Sequence, residues 1–312
     1  MRVLLIMGGW SGERDVSLSG GRKIHAALEA LGHEVDVFDP ATELKSLFSR
    51  ARACGFAFIN LHGAPGEDGF IQALLEKAGT PYQGSGPTAS FLALSKSGSK
   101  MVLEQAGVPT PQWELLARAG DALPGDFPFP VFVKPDRGGS SLAVSRVDSP
   151  HDLHHALRAV FAENDAALVE RAAAGPEITC SVLGDATLPL VFIKPAQARF
   201  FDYHSKYAPG GAEEICPAPI DEDSARRIRE LSLLAHRVLG LEGYSRADFV
   251  LEPDGPALLE VNTLPGMTPT SLLPLAAAEA GYAFEDLIKT LMDLGLERFS
   301  RQQPSNTPRS GA

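Results

Sequence analysis

Two carboxylates and an amide oxygen converge if residues 244–274, YSRADFVLEPDGPALLEVNTLPGMTPTSLLP, fold as a hairpin. Both flanks of Pro253-Asp254-Gly255 alternate with period two, the pattern of two strands joined by a turn. Tyr244, Arg246, Asp248 and Val250 share one face of the first strand, and Leu258, Glu260 and Asn262 share one face of the second. A turn centred near Asp254 sets Asp248 opposite Glu260 and Arg246 opposite Asn262. Like charges directly opposite each other destabilise a strand pair, so a cation between them is expected. Oxygen-only ligands suit a hard divalent ion, Mg²⁺ or Mn²⁺, which usually also takes ligands from substrate phosphates. An ordinary hairpin with its polar face in water is the alternative.

Other residues with chemical potential stand at the ends of apolar runs. Gly8-Gly9-x-x-Gly12 precedes Glu13, a carboxylate at a helix start that either binds a substrate ammonium or complements the helix dipole. The glycine spacing is not the G-x-G-x-x-G of dinucleotide sites. His62 and Glu67-Asp68-Gly69 follow the next apolar run; a histidine there is structural or catalytic, and the two acids either cap a helix or touch substrate. Lys134 ends PVFVKP and is followed by DRGGSS, residues 136–141, whose backbone N–H groups can approach phosphate oxygens while Lys134 supplies a point charge. A flexible surface turn is the plainer reading, and no Walker A pattern is present. Lys206-Tyr207 reads as an ordinary loop pair. Thr268, Thr270 and Ser271 precede an apolar helical run from Leu272, a helix start that can receive a carboxylate or simply be capped by Thr270 or Ser271.

These groups need a frame. RVLLIM (2–7), HEVDVFD and FAFINL (56–61) read as strands, with a helix carrying Ile24, Leu28 and Leu31 closed by Gly32, and another from about Phe70 to Ala78. The β-α-β rhythm predicts an open, largely parallel sheet with helices on its faces, binding ligands beyond the strands' carboxyl ends. A second unit starts near Lys96 and carries PVFVKP, a helix at about 150–163, ALVER and EITCSVLG. A third carries the RFFDYHSKYAPGG loop, an amphipathic helix at 222–239, the hairpin and a closing helix from Glu285. The expected units are 1–95, 96–183 and 184–300, with a polar, disordered tail at 301–312.

Composition narrows the class. The 312 residues suffice for two or three domains, and 44% hydrophobic with 21% charged residues is ordinary for a soluble enzyme. A net charge of −11 argues against nucleic acid as a partner. Cys54, Cys180 and Cys216 lack zinc or CxxC spacing, which favours a reducing compartment and buried structural thiols over nucleophiles. MRVLLIMGG lacks the length and cleavage site of a signal peptide, and no 18-residue apolar segment occurs, so a cytoplasmic protein off the membrane is expected.

Together the motifs resemble the ATP-grasp ligases, and within them the D-alanine–D-alanine ligases, from about Met1 to Arg298. GGWSGERDVS, LHGAPGEDG, PYQGSG, KPDRGGSS, SRADFVL and LLEVNTLPGMTPTSL appear in family order. The resemblance implies an α/β ATP-grasp fold: an N-terminal substrate-binding domain with an open parallel sheet, then two α+β subdomains that clamp ATP. It implies ATP-dependent ligation of two D-alanines for peptidoglycan synthesis, with ATP and two Mg²⁺ (or Mn²⁺), in a homodimer. By it, Lys96 and Lys134 contact the nucleotide phosphates, Ser140 and Ser141 lie in the loop that closes over them, and Lys206 reaches the γ-phosphate. Glu170 and Ala173 lie at the adenine and Glu177 at the ribose. Asp248, Glu260 and Asn262 hold the metal. Glu13 binds the first D-alanine's amino group, and His62 belongs to the substrate site. Arg246 and the Gly266 N–H stabilise the oxyanion, while Ser271 and Leu272 receive the second carboxylate. Tyr207 bonds to Ser140 and Glu13 and fastens the loop.

Two positions depart from the family pattern. Ser95-Lys96 stands where Asp-Lys is usual, followed by the small Ser97-Gly98-Ser99, and DYHSKY carries His204 where an acidic residue is common. Retention of Tyr207 favours an amine over a hydroxy acid such as D-lactate as second substrate. A non-catalytic nucleotide-binding module and a Rossmann-type NAD(P) enzyme are the competing classes.

Overall fold

The computed structural model describes residues 1–118, 120–138, 144–163, 165–195, 212–268 and 270–302. Ser140, Ser141, His204, Lys206, Tyr207 and the expected tail beyond residue 302 lie outside them.

The three apolar runs near the N-terminus pair as a parallel sheet in the order β2-β1-β3, where β1 is Arg2–Met7, β2 Glu34–Phe38 and β3 Phe56–Asn60. All five residues of β3 are buried, which is why its sequence runs apolar rather than alternating. The helix Arg14–Ala30 buries Ile24, Ala27 and Leu28 on this sheet. The chain leaves it at Leu31 and turns at Gly32, whose φ of 80° suits a residue without a Cβ. The helix Phe70–Ala78 has the expected bounds and ends at Gly79 in the left-handed conformation.

The middle of the chain forms an antiparallel four-stranded sheet, β4-β7-β5-β6: β4 is Trp113–Leu116, β5 Val131–Pro135, β6 Ser145–Val147 and β7 Ala167–Arg171. The helix Leu153–Ala162 packs Ala156, Leu157 and Val160 beneath it. A six-stranded sheet follows, in the order β11-β10-β8-β12-β13, with β9 also paired to β8. Here β8 is Glu177–Leu183, β9 Ala186–Thr187, β10 Val191–Pro195, β11 Ala212–Ile215, β12 Tyr244–Glu252 and β13 Gly255–Asn262. The sheets therefore change over in the segment 172–176, and EITCSVLG joins the hairpin's sheet rather than that of ALVER. The amphipathic helix Glu222–Val238, capped by the Asp221 carboxylate accepting from Ser224 N–H, covers this sheet with Ile228, Leu231 and Ala235.

The hairpin itself corrects one expectation. Arg246 lies opposite Asn262 and Asp248 opposite Glu260, as the period predicts, but Phe249 pairs with Leu258. Leu259 is thus the extra residue of a bulge. Leu258 turns to the core with Phe249 and Ala247 instead of sharing the face of Glu260. The closing helix spans Phe284–Gln302 and sets Leu287, Ile288, Leu291 and Met292 into the same core as β1 and β3. Cys180 is fully buried, and burial pushes its thiol up to about 12, a structural role.

Candidate active site

One cleft gathers groups from all three sheets. Glu13, His62 and Glu67 line it from the first sheet, and Lys134, Glu170 and Ala173 from the second. Glu177, Arg246, Asp248, Glu260 and Asn262 line it from the third, together with Lys96, Gly266, Ser271 and Leu272.

The loop after β1 is held from behind. Asp39 Oδ1 accepts from Gly9 N–H at 3.0 Å, and Asp39 Oδ2 pairs with Arg14 Nη2 at 2.5 Å. Arg14 Nη1 returns a bond to the Gly9 carbonyl at 2.7 Å. This clip fixes the turn that presents Glu13, which occupies the helix N-cap position without a side-chain capping bond. Glu67 and Asp68 divide the roles left open between them. Asp68 Oδ1 accepts from Phe70 N–H at 2.9 Å, at the helix start, whereas Glu67 Oε2 accepts from Gly63 N–H at 2.6 Å and faces the cleft. Burial, reinforced by the nearby Glu13 carboxylate, pushes Glu67 up to about 8. Burial also lowers the His62 pKa, against the pull of Glu13, and its Nε2 is buried without a hydrogen-bond partner among the described residues.

Lys96 opens the helix Lys96–Gln105. The unusual Ser95 caps it: its Oγ accepts from Gly98 N–H at 3.2 Å and donates to Asp136 Oδ2 at 2.9 Å. Asp136 Oδ1 also accepts from Ser97 N–H at 2.7 Å, so the start of the DRGGSS segment is tied to this helix. Lys96 Nζ donates to the Gly138 carbonyl at 2.5 Å and lies 3.5 Å from Glu260 Oε2. Lys134 Nζ donates to Glu170 Oε2 at 2.6 Å.

On the hairpin, Arg246 grips Asp248 with Nε to Oδ1 at 2.8 Å and Nη2 to Oδ2 at 2.7 Å, and Thr179 Oγ1 donates to the same Oδ1 at 2.8 Å. Asn262 Oδ1 accepts from Leu264 N–H at 2.9 Å. Among the described residues no cluster of three His, Cys, Asp or Glu that could hold a metal occurs. The set here is two carboxylates and an amide, all hard oxygen donors on adjacent strands, and that chemistry fits Mg²⁺. At the helix Leu272–Glu279, Ser271 is the N-cap residue but makes no side-chain capping bond, contrary to one of the alternatives above. Its Oγ instead accepts from Thr268 N–H at 2.9 Å. A Cβ at Gly266 would come within 2.8 Å of that Oγ, so glycine lets the 266 backbone approach the helix start.

Sequence reasoning missed Lys100, Arg14, Asp39 and Thr179. Lys100 Nζ lies 2.5 Å from Glu170 Oε1, both side chains only 1% exposed. Its spacing of four from Lys96 puts it on the same helix face, but nothing local points to Glu170.

A family model described as D-ala D-ala ligase C-terminus matches residues 102–293. The D-alanine–D-alanine ligase of Oleidesulfovibrio alaskensis is 57% identical over 305 residues, covering 97% of this chain and 99% of that protein. That of Synechococcus sp. (strain JA-3-3Ab) is 40% identical over 324 residues, covering 98% of each. The crystal structure of D-alanine–D-alanine ligase from Bacillus anthracis complexed with ATP aligns with a TM-score of 0.86 at 32% identity, over 97% of this chain and 100% of that one. The mixed α/β architecture is accordingly of the ATP-grasp type. With most of its length matched by the family model and nearly all of it by these relatives, the chain belongs to the D-alanine–D-alanine ligase family.

Proposed function

We propose that the protein joins two D-alanines at the expense of ATP, giving D-alanyl-D-alanine, ADP and phosphate for peptidoglycan synthesis. The observation that carries this reading is the meeting of an acid for an ammonium, lysines for phosphates, an arginine and a helix start in one cleft.

In this reading Glu13 holds the ammonium of the first D-alanine beside His62. That substrate's carboxylate oxygen attacks the γ-phosphorus, the bond to the β-phosphate bridging oxygen breaks, and ADP departs. Lys96 and Lys134 offset the phosphate charge, and Glu170, Ala173 and Glu177 line the wall that takes the nucleoside. The amine of the second D-alanine, its carboxylate at Ser271 and Leu272, attacks the resulting acyl phosphate. Arg246 and the Gly266 N–H stabilise the tetrahedral oxyanion. Collapse breaks the carbon–oxygen bond to phosphate, and the amine loses its proton. Asp248, Glu260 and Asn262 would hold two Mg²⁺, which supply charge stabilisation at the phosphate oxygens. Positioning and electrostatics do most of the work. Roles for Ser140, Ser141, Lys206 and Tyr207 fall on residues outside the described structure and rest on the family pattern alone.

The units 1–95, 96–183 and 184–300 belong to the same proposal, and the pairing of β8 favours moving the middle boundary to 172–176. A homodimer in the cytoplasm completes it. No helix among the described residues is long and apolar enough to cross a membrane.

Phosphate release with D-alanine, L-alanine, D-lactate and D-serine in turn tests the activity. Release confined to D-alanine is expected. No release from ATP with D-alanine present would refute the reading, and a depsipeptide as the main product when D-lactate is supplied beside D-alanine would change the second substrate.

A further inference from the structure

We infer that Lys100 is a positioning residue for nucleotide binding: it keeps Glu170 paired, so that Lys134 can turn its charge to a phosphate. The inference rests on the nucleotide reading given above and adds a residue to it.

Glu170 sits on β7 with one lysine on each oxygen. Lys134, on the neighbouring strand β5, donates to Oε2 at 2.6 Å. Lys100, on the helix Lys96–Gln105, lies 2.5 Å from Oε1, and its Nζ also donates to the Thr110 hydroxyl. The two lysines differ in where they can go. Lys134 and Glu170 line the cleft, whereas Lys100 is 1% exposed and walled off behind them.

A lysine that serves a phosphate must share or release the carboxylate it now holds. Were Lys134 the only counterion of Glu170, that move would strand a buried anion, which is among the costliest events in a protein interior. Lys100 remains in place and removes the penalty. The count of charges agrees, since two ammonium groups on one carboxylate leave one positive charge for the ligand, where a simple pair would leave none. Glu170 is held below the usual carboxylate range despite burial, because both lysines favour its ionised form, Lys100 first; burial in turn lowers the Lys100 pKa, and the Glu170 carboxylate opposes that by favouring the ammonium.

The test uses the full chain in Mg²⁺ buffer. Lys100→Met should weaken ADP, measured by calorimetry, at least tenfold, and raise the KM for ATP similarly. The KM for D-alanine should stay within twofold, and kcat at saturating ATP within threefold. Lys100→Arg should restore ADP affinity to within threefold of the parent. Unchanged ADP affinity in Lys100→Met, or parallel losses for ATP and D-alanine, would overturn the inference. Should that variant fail to fold, Lys100→Met/Glu170→Gln removes both buried charges at once. Tripolyphosphate, which has phosphates but no base, should then inhibit the double variant within threefold of the parent; a tenfold loss would overturn the inference. Failure of the parent itself to bind ADP would instead refute the nucleotide reading.

Discussion

Arg246 holds Asp248, two residues further along its own strand, through hydrogen bonds of 2.8 and 2.7 Å. The period of the strand puts both on one face, and the planar fork of arginine lets one side chain meet both carboxylate oxygens. The arginine proposed for the oxyanion is thus aligned by a carboxylate proposed for the metal.

Arg246→Ala should lower kcat by about a hundredfold or more, the usual loss on removing an oxyanion donor. Arg246→Lys keeps the charge but not the fork, and should fall between the two. Phosphate release at saturating substrates measures both, and near-normal turnover in the alanine variant would remove the assigned role.

Asp248→Asn and Glu260→Gln preserve shape while removing one negative charge each. Activation by Mg²⁺ should move to concentrations roughly tenfold higher or more in either variant, because a hard divalent ion loses an anionic ligand. Activity titrated against free Mg²⁺ gives the answer. Superimposable curves would place the metal elsewhere.

Glu67 predicts a pH dependence of stability. Its folded pKa is pushed up to about 8 by burial and by Glu13, above the ordinary carboxylate range of the unfolded chain. Below that range both states are protonated and the full stability is present. Between there and about 8 the unfolded chain releases the proton while the folded protein retains it, so stability falls as pH rises. Glu67→Gln can still accept from Gly63 N–H and has no charge to bury. Its Tm should gain on the parent steadily from about pH 5 to pH 8; a constant difference across that series would show that the carboxyl titrates normally.

Ser95 is an N-cap and a partner of Asp136 at once. Ser95→Ala should cost about 1 kcal/mol in chemical denaturation, the typical value of a lost cap. Ser95→Asp restores the family's usual residue but sets a second carboxylate beside Asp136, so it should not exceed the parent in stability. A clear gain would mean that Asp136 is not the neighbour that matters.

The hairpin shows how far sequence reasoning reaches. Period two and a turn near Asp254 predict Asp248 opposite Glu260, and the structure has it so. The observed turn, however, joins Glu252 to Gly255 and is centred half a residue earlier. The bulge at Leu259 makes up the difference, so the polar pairs come out as predicted while Leu258 does not. Alternation cannot reveal a bulge between two leucines, because either one satisfies an apolar position. The Lys100–Glu170 contact was illegible for a different reason: a buried ion triad has no local pattern, and its members come from a helix and two strands far apart in the chain. The parallel first sheet and the bounds of Phe70–Ala78 were legible because apolar periodicity and a terminal glycine act locally. The sheet membership of β8 was not, since a buried strand carries no mark of which neighbour it will choose.

The helix Phe284–Gln302, which lays Leu287, Ile288, Leu291 and Met292 against the core of β1 and β3, bears on how the protein is made. Strands within the first sixty residues wait for side chains translated more than two hundred residues later before their apolar surface is covered. On a ribosome adding roughly 5–20 residues per second, that interval lasts on the order of ten seconds or more. The first sheet cannot finish folding as the chain emerges. A nascent chain stalled before residue 284 leaves that surface open, a natural substrate for chaperones and an early point for quality control to act.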